Sequence, residues 1–314
     1  ENKQGQASVN PGQKAVVQNG YQPIVQTMLH PRDAVQWTLY YPPVLPLLDG
    51  SSDSISAPVN STLRKSLEFA RLGQNAIALS TLDSLPKKQR TTDSTLYRAA
   101  ILLTVGHADL ANNEIAEVLQ RDSENGLAYS LRSIIELVEN QKDKALADAE
   151  KAWSLSPTVS ASIALSYAQQ ANFKLETARE TLLNAAEKYP GVSLVWARLA
   201  ELQLMLGEQK MALASVQHAL ALSPDSARAQ TILGFCALAE FRFVDATSIF
   251  TQSVKLASAD PMAHLGLGLA KISTGDLVEG RREIEAAVAL DSNNALLRSY
   301  LGKAYFAEKR SKLD

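Results

Sequence analysis

Residues 193–226 read SLVWARLAELQLMLGEQKMALASVQHALALSPDS. Apolar residues recur every three or four positions on both sides of Gly207, the spacing of an amphipathic helix. Gly207 suits a left-handed helix end, and Pro224 stops a second helix. Ala200 and Ala212 stand twelve apart, one in each predicted helix. The stretch predicts two antiparallel helices joined by a tight turn.

The same unit recurs along most of the chain. Ala78, Ala111, Ala145, Ala178, Ala212, Ala246 and Gly280 stand 33 or 34 residues apart. Ser66, Ala99, Ser133, Ser166, Ala200, Gly234, Gly268 and Gly302 run in the same steps, twelve residues ahead. Small side chains on both helices let the backbones approach closely while larger residues fill in around them. Between the two ladders the turn column holds Gly73, Gly106, Asn140, Gly207 and Gly275. Phe173 and Phe241 occupy it in two units, where a different or a strained turn is expected. Pro157, Pro190 and Pro224 close three units. A repeat of this length implies stacked helix pairs rather than a single globule.

The unit resembles the tetratricopeptide repeat, W-x2-L-G-x2-Y followed by A-x3-F and P. Trp196, Leu199, Ala200, Gly207, Ala212, Ala219 and Pro224 carry the likeness. Leu233, Gly234, Ala246 and Phe250 carry it in the next unit, Leu267, Gly268 and Gly275 in the one after, and Leu301, Gly302 and Tyr305 open an eighth. The resemblance implies an all-α fold, a right-handed tetratricopeptide superhelix of about seven and a half repeats. The units fall near 59–91, 92–125, 126–158, 159–192, 193–226, 227–260, 261–294 and a partial 295–314. Lys65 and Glu136 depart from the pattern, at the leucine and tyrosine columns, and helix geometry is expected to vary there.

Residues 1–58 differ. Lys14–Gln18 and Tyr21–Met28 predict two strands joined at Asn19-Gly20, a hairpin signal. A short helix is expected from Pro31, ended by Pro42, and a Pro-rich linker follows. Residues 10–45 resemble the closing segment of an iron-dicitrate sensor (FecR-type) domain fused to tetratricopeptide repeats. That likeness implies a bacterial envelope protein, periplasmic or associated with the outer membrane. The polar start ENKQGQASVN and the end inside a repeat lead us to expect cuts from a longer polypeptide.

Composition narrows function. Of 314 residues 46% are hydrophobic and 20% charged, with net charge −2. A near-neutral chain argues against a general nucleic-acid binder, and the longest apolar runs fall short of a membrane span. One cysteine, Cys236, excludes a disulfide framework. Cys236 is expected to be buried and inert. His30, His107, His218 and His264 show no metal-ligand spacing, so no metal or cofactor is expected. GLGLAK at 266–271 lacks the third glycine and preceding strand of a dinucleotide loop, and Gly302-Lys303 lacks the rest of a phosphate loop. No carboxylate pair suggests acid–base work, and no catalytic residue is assigned.

The resemblance places positions 5, 9 and 12 of each unit on a concave wall. The groove residues expected from it are Leu96, Ile134, Leu137, Tyr167, Gln170, Glu201, Leu204, Phe235, Leu238, Leu269 and Phe306. The family's carboxylate clamp needs Asn at position 9, and none stands there. An apolar stripe instead suits an apolar peptide, a helix or a neighbouring domain. Two alternatives stay open: the stripe is simply core, or the chain's own segment Tyr40–Leu48 occupies it, helped by tethering. The expected role is a non-enzymatic protein-interaction scaffold. The rival is a self-assembling or transport component of an envelope or polysaccharide-export system, pairing with copies of itself.

Overall fold

The computed structural model describes residues 13–16, 24–27, 61–71, 74–292 and 294–311. Fifteen helices follow one another among them. The first pairs are α1 Ser61–Arg71 with α2 Asn75–Asp83, and α3 Thr92–Thr104 with α4 Ala108–Arg121. Next come α5 Gly126–Val138 with α6 Lys142–Leu155, and α7 Val159–Ala171 with α8 Leu175–Lys188. Helices α9 Ser193–Met205 and α10 Gln209–Leu222 form the fifth pair, α11 Ala227–Ala239 and α12 Phe243–Leu256 the sixth. Helices α13 Pro261–Ser273 and α14 Leu277–Leu290 precede α15 Ala295–Ser311. Ahead of them, strands β1 Gln13–Val16 and β2 Ile24–Thr27 pair antiparallel with Val16 opposite Ile24. Asn19-Gly20, the segment from Pro31 and the Pro-rich stretch lie outside the described residues. Two compact units divide at Ala229/Gln230, within α11.

The two small-residue ladders meet across each hairpin. Ser66 Oγ donates to Ala78 O at 2.7 Å, and Ser133 Oγ to Ala145 O at 2.7 Å. Those bonds require backbones that nearly touch. In the α13–α14 pair both ladder residues are glycine, and a β-carbon on Gly268 would lie 2.5 Å from Gly280 O. The glycines there are needed for close approach, as helix packing of small residues demands. Phe250 imposes a similar limit: its ring packs edge-on to Phe235 at 5.0 Å and lies against Gly234 and Gly266, leaving no room for a methyl on either.

Turn and start signals repeat with the same period. Gly106, Gly207 and Gly275 have φ of 82°, 80° and 98°, and Asn140, Phe173 and Phe241 reach 59°, 60° and 60°. The phenylalanines thus hold a conformation that costs an L-residue about 1–2 kcal/mol. Gly73 lies outside the described residues. The residue before most first helices caps it. The side chains of Thr91, Asn125, Thr158, Ser226, Asp260 and Asn294 accept from backbone N–H groups two or three residues on. Val192 stands in that column without a cap bond.

In the unit up to Ala229, Leu63, Leu67, Leu82, Leu85 and Ile101 form the core of the first helices. Glu136, at the tyrosine column of α5, is half-buried. Burial first, then repulsion from Asp148, push its carboxyl up to about 7 against the pull of Arg132 and Lys144. Lys65, the other departure, is exposed on α1.

Candidate interaction surface

Helical steps of three and four put positions 5, 9 and 12 of each first helix on one stripe. Leu96, Ile134, Leu137, Leu204, Phe235 and Leu238 are all buried. Tyr167, Gln170 and Glu201 are buried as well, Tyr167 and Glu201 to 0% exposure. Leu269 is half-buried and Phe306 is 66% exposed. These positions are therefore buried on α3, α5, α7, α9 and α11, half-buried at Leu269 on α13 and exposed at Phe306 on α15.

Three of the expected residues meet in one buried polar cluster. The Arg198 guanidinium lies over the Tyr167 ring at 3.7 Å. Its Nη1 donates to Glu201 Oε2 at 2.9 Å, its Nη2 to Gln170 Oε1 at 2.5 Å, and its Nε to Ser166 Oγ at 3.1 Å. Arg228 Nη2 donates to the Tyr167 hydroxyl at 2.6 Å and pairs with Glu201 Oε1 at 2.5 Å. The Arg198 and Glu201 side chains are fully buried and Arg228 is 12% exposed. A buried pair gains little net stability over apolar packing, but removing one partner strands a charge at a cost of about 3–5 kcal/mol. Such a network favours one register of the helices that share it. Arg198 and Arg228 escaped the sequence reading. The one local signal was the i,i+3 spacing of Arg198 and Glu201; Arg228 comes from the next unit.

The groups with chemical potential are occupied or remote. Cys236 is buried, and burial, followed by the Glu240 charge, pushes its thiol up to about 12. The His218 ring packs 4.3 Å from that of Trp196. His264 has both ring nitrogens engaged, Nδ1 with Glu283 at 2.9 Å and Nε2 with Ser258 O at 3.1 Å. Glu283 also accepts from Lys271 at 2.8 Å. Burial alone would raise the Glu283 carboxyl, but the bonds from Lys271 and His264 hold it below its ordinary value. His107 is exposed ahead of α4, and His30 lies outside the described residues. Among the described residues no group of three His, Cys, Asp or Glu is placed to hold a metal ion. No helix among them is long and apolar enough to cross a membrane.

Comparison with solved structures identifies the fold. The Parabacteroides merdae tetratricopeptide repeat protein superposes with a TM-score of 0.56 at 13% identity, over 78% of this chain and 97% of that one. Yeast Tom70 superposes with a TM-score of 0.56 at 15% identity, over 90% of this chain and 70% of that one. The APC/C Cut9–Hcn1 hetero-tetramer matches with a TM-score of 0.58 at 16% identity, over 76% of this chain but about half, 48%, of that one. The helical repeats have the tetratricopeptide-type fold. No family model and no curated protein matches it.

Proposed function

We propose that the chain is a non-catalytic protein-interaction scaffold that holds an apolar peptide, helix or neighbouring domain on the stripe of its first helices. The chain's own apolar segment Tyr40–Leu48, which lies outside the described residues, is the proposed competitor for that stripe along α3–α9, and a partner binds by outcompeting it. In the other unit Leu269 and Phe306 offer accessible positions of the same repeat pattern. Tethering gives the segment a high effective concentration, so weak contacts suffice to hold it and a competing ligand can replace it.

One observation carries this reading. All thirteen residues of α7 are buried. The helix packs against α5, α6 and α8, and more lightly against α9. The stripe residues Ile163, Tyr167 and Gln170 are buried with the rest of the helix. The arginines shield Tyr167 and Gln170, but Ile163, Ala197 and Leu204 are apolar and equally buried. The resemblance of residues 10–45 to the closing segment of a FecR-type domain favours a place in a bacterial envelope.

The test is to charge the segment. In the full chain, Leu45→Asp with Leu47→Asp should raise the fluorescence of an apolar dye and speed amide exchange in α7 and α9. Unchanged exchange in both helices would remove the segment from the account. The exposed neighbours Tyr305 and Phe306 on α15 favour a second reading, self-association. It requires mass that grows with concentration in light scattering.

A further inference from the structure

In four units the fourth residue reaches back six positions to a backbone carbonyl of the preceding unit. Tyr129 Oη donates to Ser123 O at 3.2 Å, and Trp196 Nε1 to Pro190 O at 2.8 Å. His264 Nε2 lies 3.1 Å from Ser258 O, and Arg298 Nη1 donates to Ser292 O at 2.6 Å. Each of these side chains is flat at its end and carries a donor. The unit 159–192 has Ser162 in this column, and Ser162 bonds within its own helix, to Thr158 O at 2.9 Å. The carbonyl six positions before Ser162, Ser156 O, accepts instead from Thr158 N at 2.8 Å, and the next one, Pro157 O, accepts from Tyr189 Oη at 2.9 Å and Lys188 Nζ at 3.2 Å.

The vacated place is a pocket of about 330 Å³ between the end of α6, α7 and α8. Trp153, Leu165, Gln169, Thr181, Asn184 and Tyr189 are among its lining residues. Asn184 stands at the twenty-sixth position of its unit, the column where His218 packs on Trp196 in the next one. Gln169 replaces the tyrosine of the repeat pattern and is tied to Thr181 Oγ1 at 3.0 Å. Both aromatic columns of this unit are thus filled by short polar residues, and Trp153 stays exposed at the pocket.

We infer that this pocket is a binding site for an aromatic side chain, tryptophan in particular, presented by a partner polypeptide. The neighbouring unit is the template: Trp196 fills the corresponding seat from within. The backbone carbonyl is already satisfied here, so the incoming ring contributes mainly apolar surface and stacking on aromatic walls. Polar Gln169, Thr181 and Asn184 stand ready for the indole N–H. The site is separate from the stripe and does not depend on what covers it.

The experiment titrates the full chain with N-acetyl-L-tryptophanamide and follows the amide resonances of Gln169, Thr181 and Asn184. Saturable shifts are expected, absent with N-acetyl-L-leucinamide. Ser162→Trp should abolish them while raising Tm, because the chain then fills its own cavity. Asn184→Trp, at an exposed rim position, provides an independent block. No saturable shift in the wild type, equal shifts with the leucine compound, or binding that survives both substitutions would overturn the proposal.

Discussion

Helices α7 and α13 hold the same place in two repeats and differ in how far they are buried. Every residue of α7 is buried, whereas α13 leaves Leu269, Lys271, Ile272 and Ser273 partly open to solvent. The hairpins behind them obey the same small-residue rule, so the back of a repeat does not determine its front. Position 9 shows the consequence: Glu201 is locked between two arginines, and Leu269 is half-free. One column of one pattern thus serves as core in one place and as surface in another.

The sharpest break of that comparison is at position 9 itself. Glu201→Ala leaves Arg198 and Arg228 without their carboxylate and should cost about 3–5 kcal/mol in denaturant unfolding. Leu269→Ala, in the same column, should cost less than about 2 kcal/mol, because a half-exposed side chain leaves little cavity. Equal losses would mean that the two fronts are not different environments.

Gly266→Ala drives a methyl into the buried Phe250 ring and should cost about 1–3 kcal/mol. Gly302→Ala, in the same small-residue ladder as Gly268 but with nothing within 4 Å, should be neutral or mildly stabilising. In the opposite direction, Phe173→Gly relieves the positive φ and should stabilise by about 1 kcal/mol, read as a rise in Tm.

The smallest expected effect depends on pH. The Glu136 carboxyl sits at about 7, above its ordinary value, so the folded chain binds a proton more tightly than the unfolded one. Its contribution is therefore most favourable below the unfolded pKa and declines as pH rises towards about 7. Glu136→Gln should raise Tm at pH 8 relative to wild type and change it little at pH 4. A constant difference between those pH values would show that the carboxyl titrates normally.

The period was legible because one packing constraint is imposed at each hairpin: where Ser133 meets Ala145, or Gly268 meets Gly280, nothing large fits. The turn column was legible for a similar reason, including the positive φ at Phe173 and Phe241, since a left-handed residue must stand there whatever its identity. The site was harder to read. A stripe derived from spacing says which residues share a face, but exposure depends on side chains from other units, such as Arg228, that spacing does not contain. Tyr167, Gln170 and Glu201 share a buried cluster completed by Arg198, on the same helix as Glu201, and by Arg228 from the next unit. The capping column from Thr91 to Asn294 is legible in the same way as the turn column, since Thr, Asn, Ser or Asp just before a first helix can accept from its free N–H groups.

The difference in burial between the two fronts is tested most directly at position 5, where serine stands in both regions. Ser130 on α5 is fully buried and Ser299 on α15 is exposed. Ser130→Cys and Ser299→Cys change one atom each, and Cys236, buried with its thiol pushed up to about 12, stays silent. The Ser299→Cys chain should react with a thiol reagent at the rate of an open cysteine, and the Ser130→Cys chain roughly a hundredfold slower. Adding the Leu45→Asp and Leu47→Asp changes should bring the two rates together. Equal rates without those changes would contradict a closed front on α5.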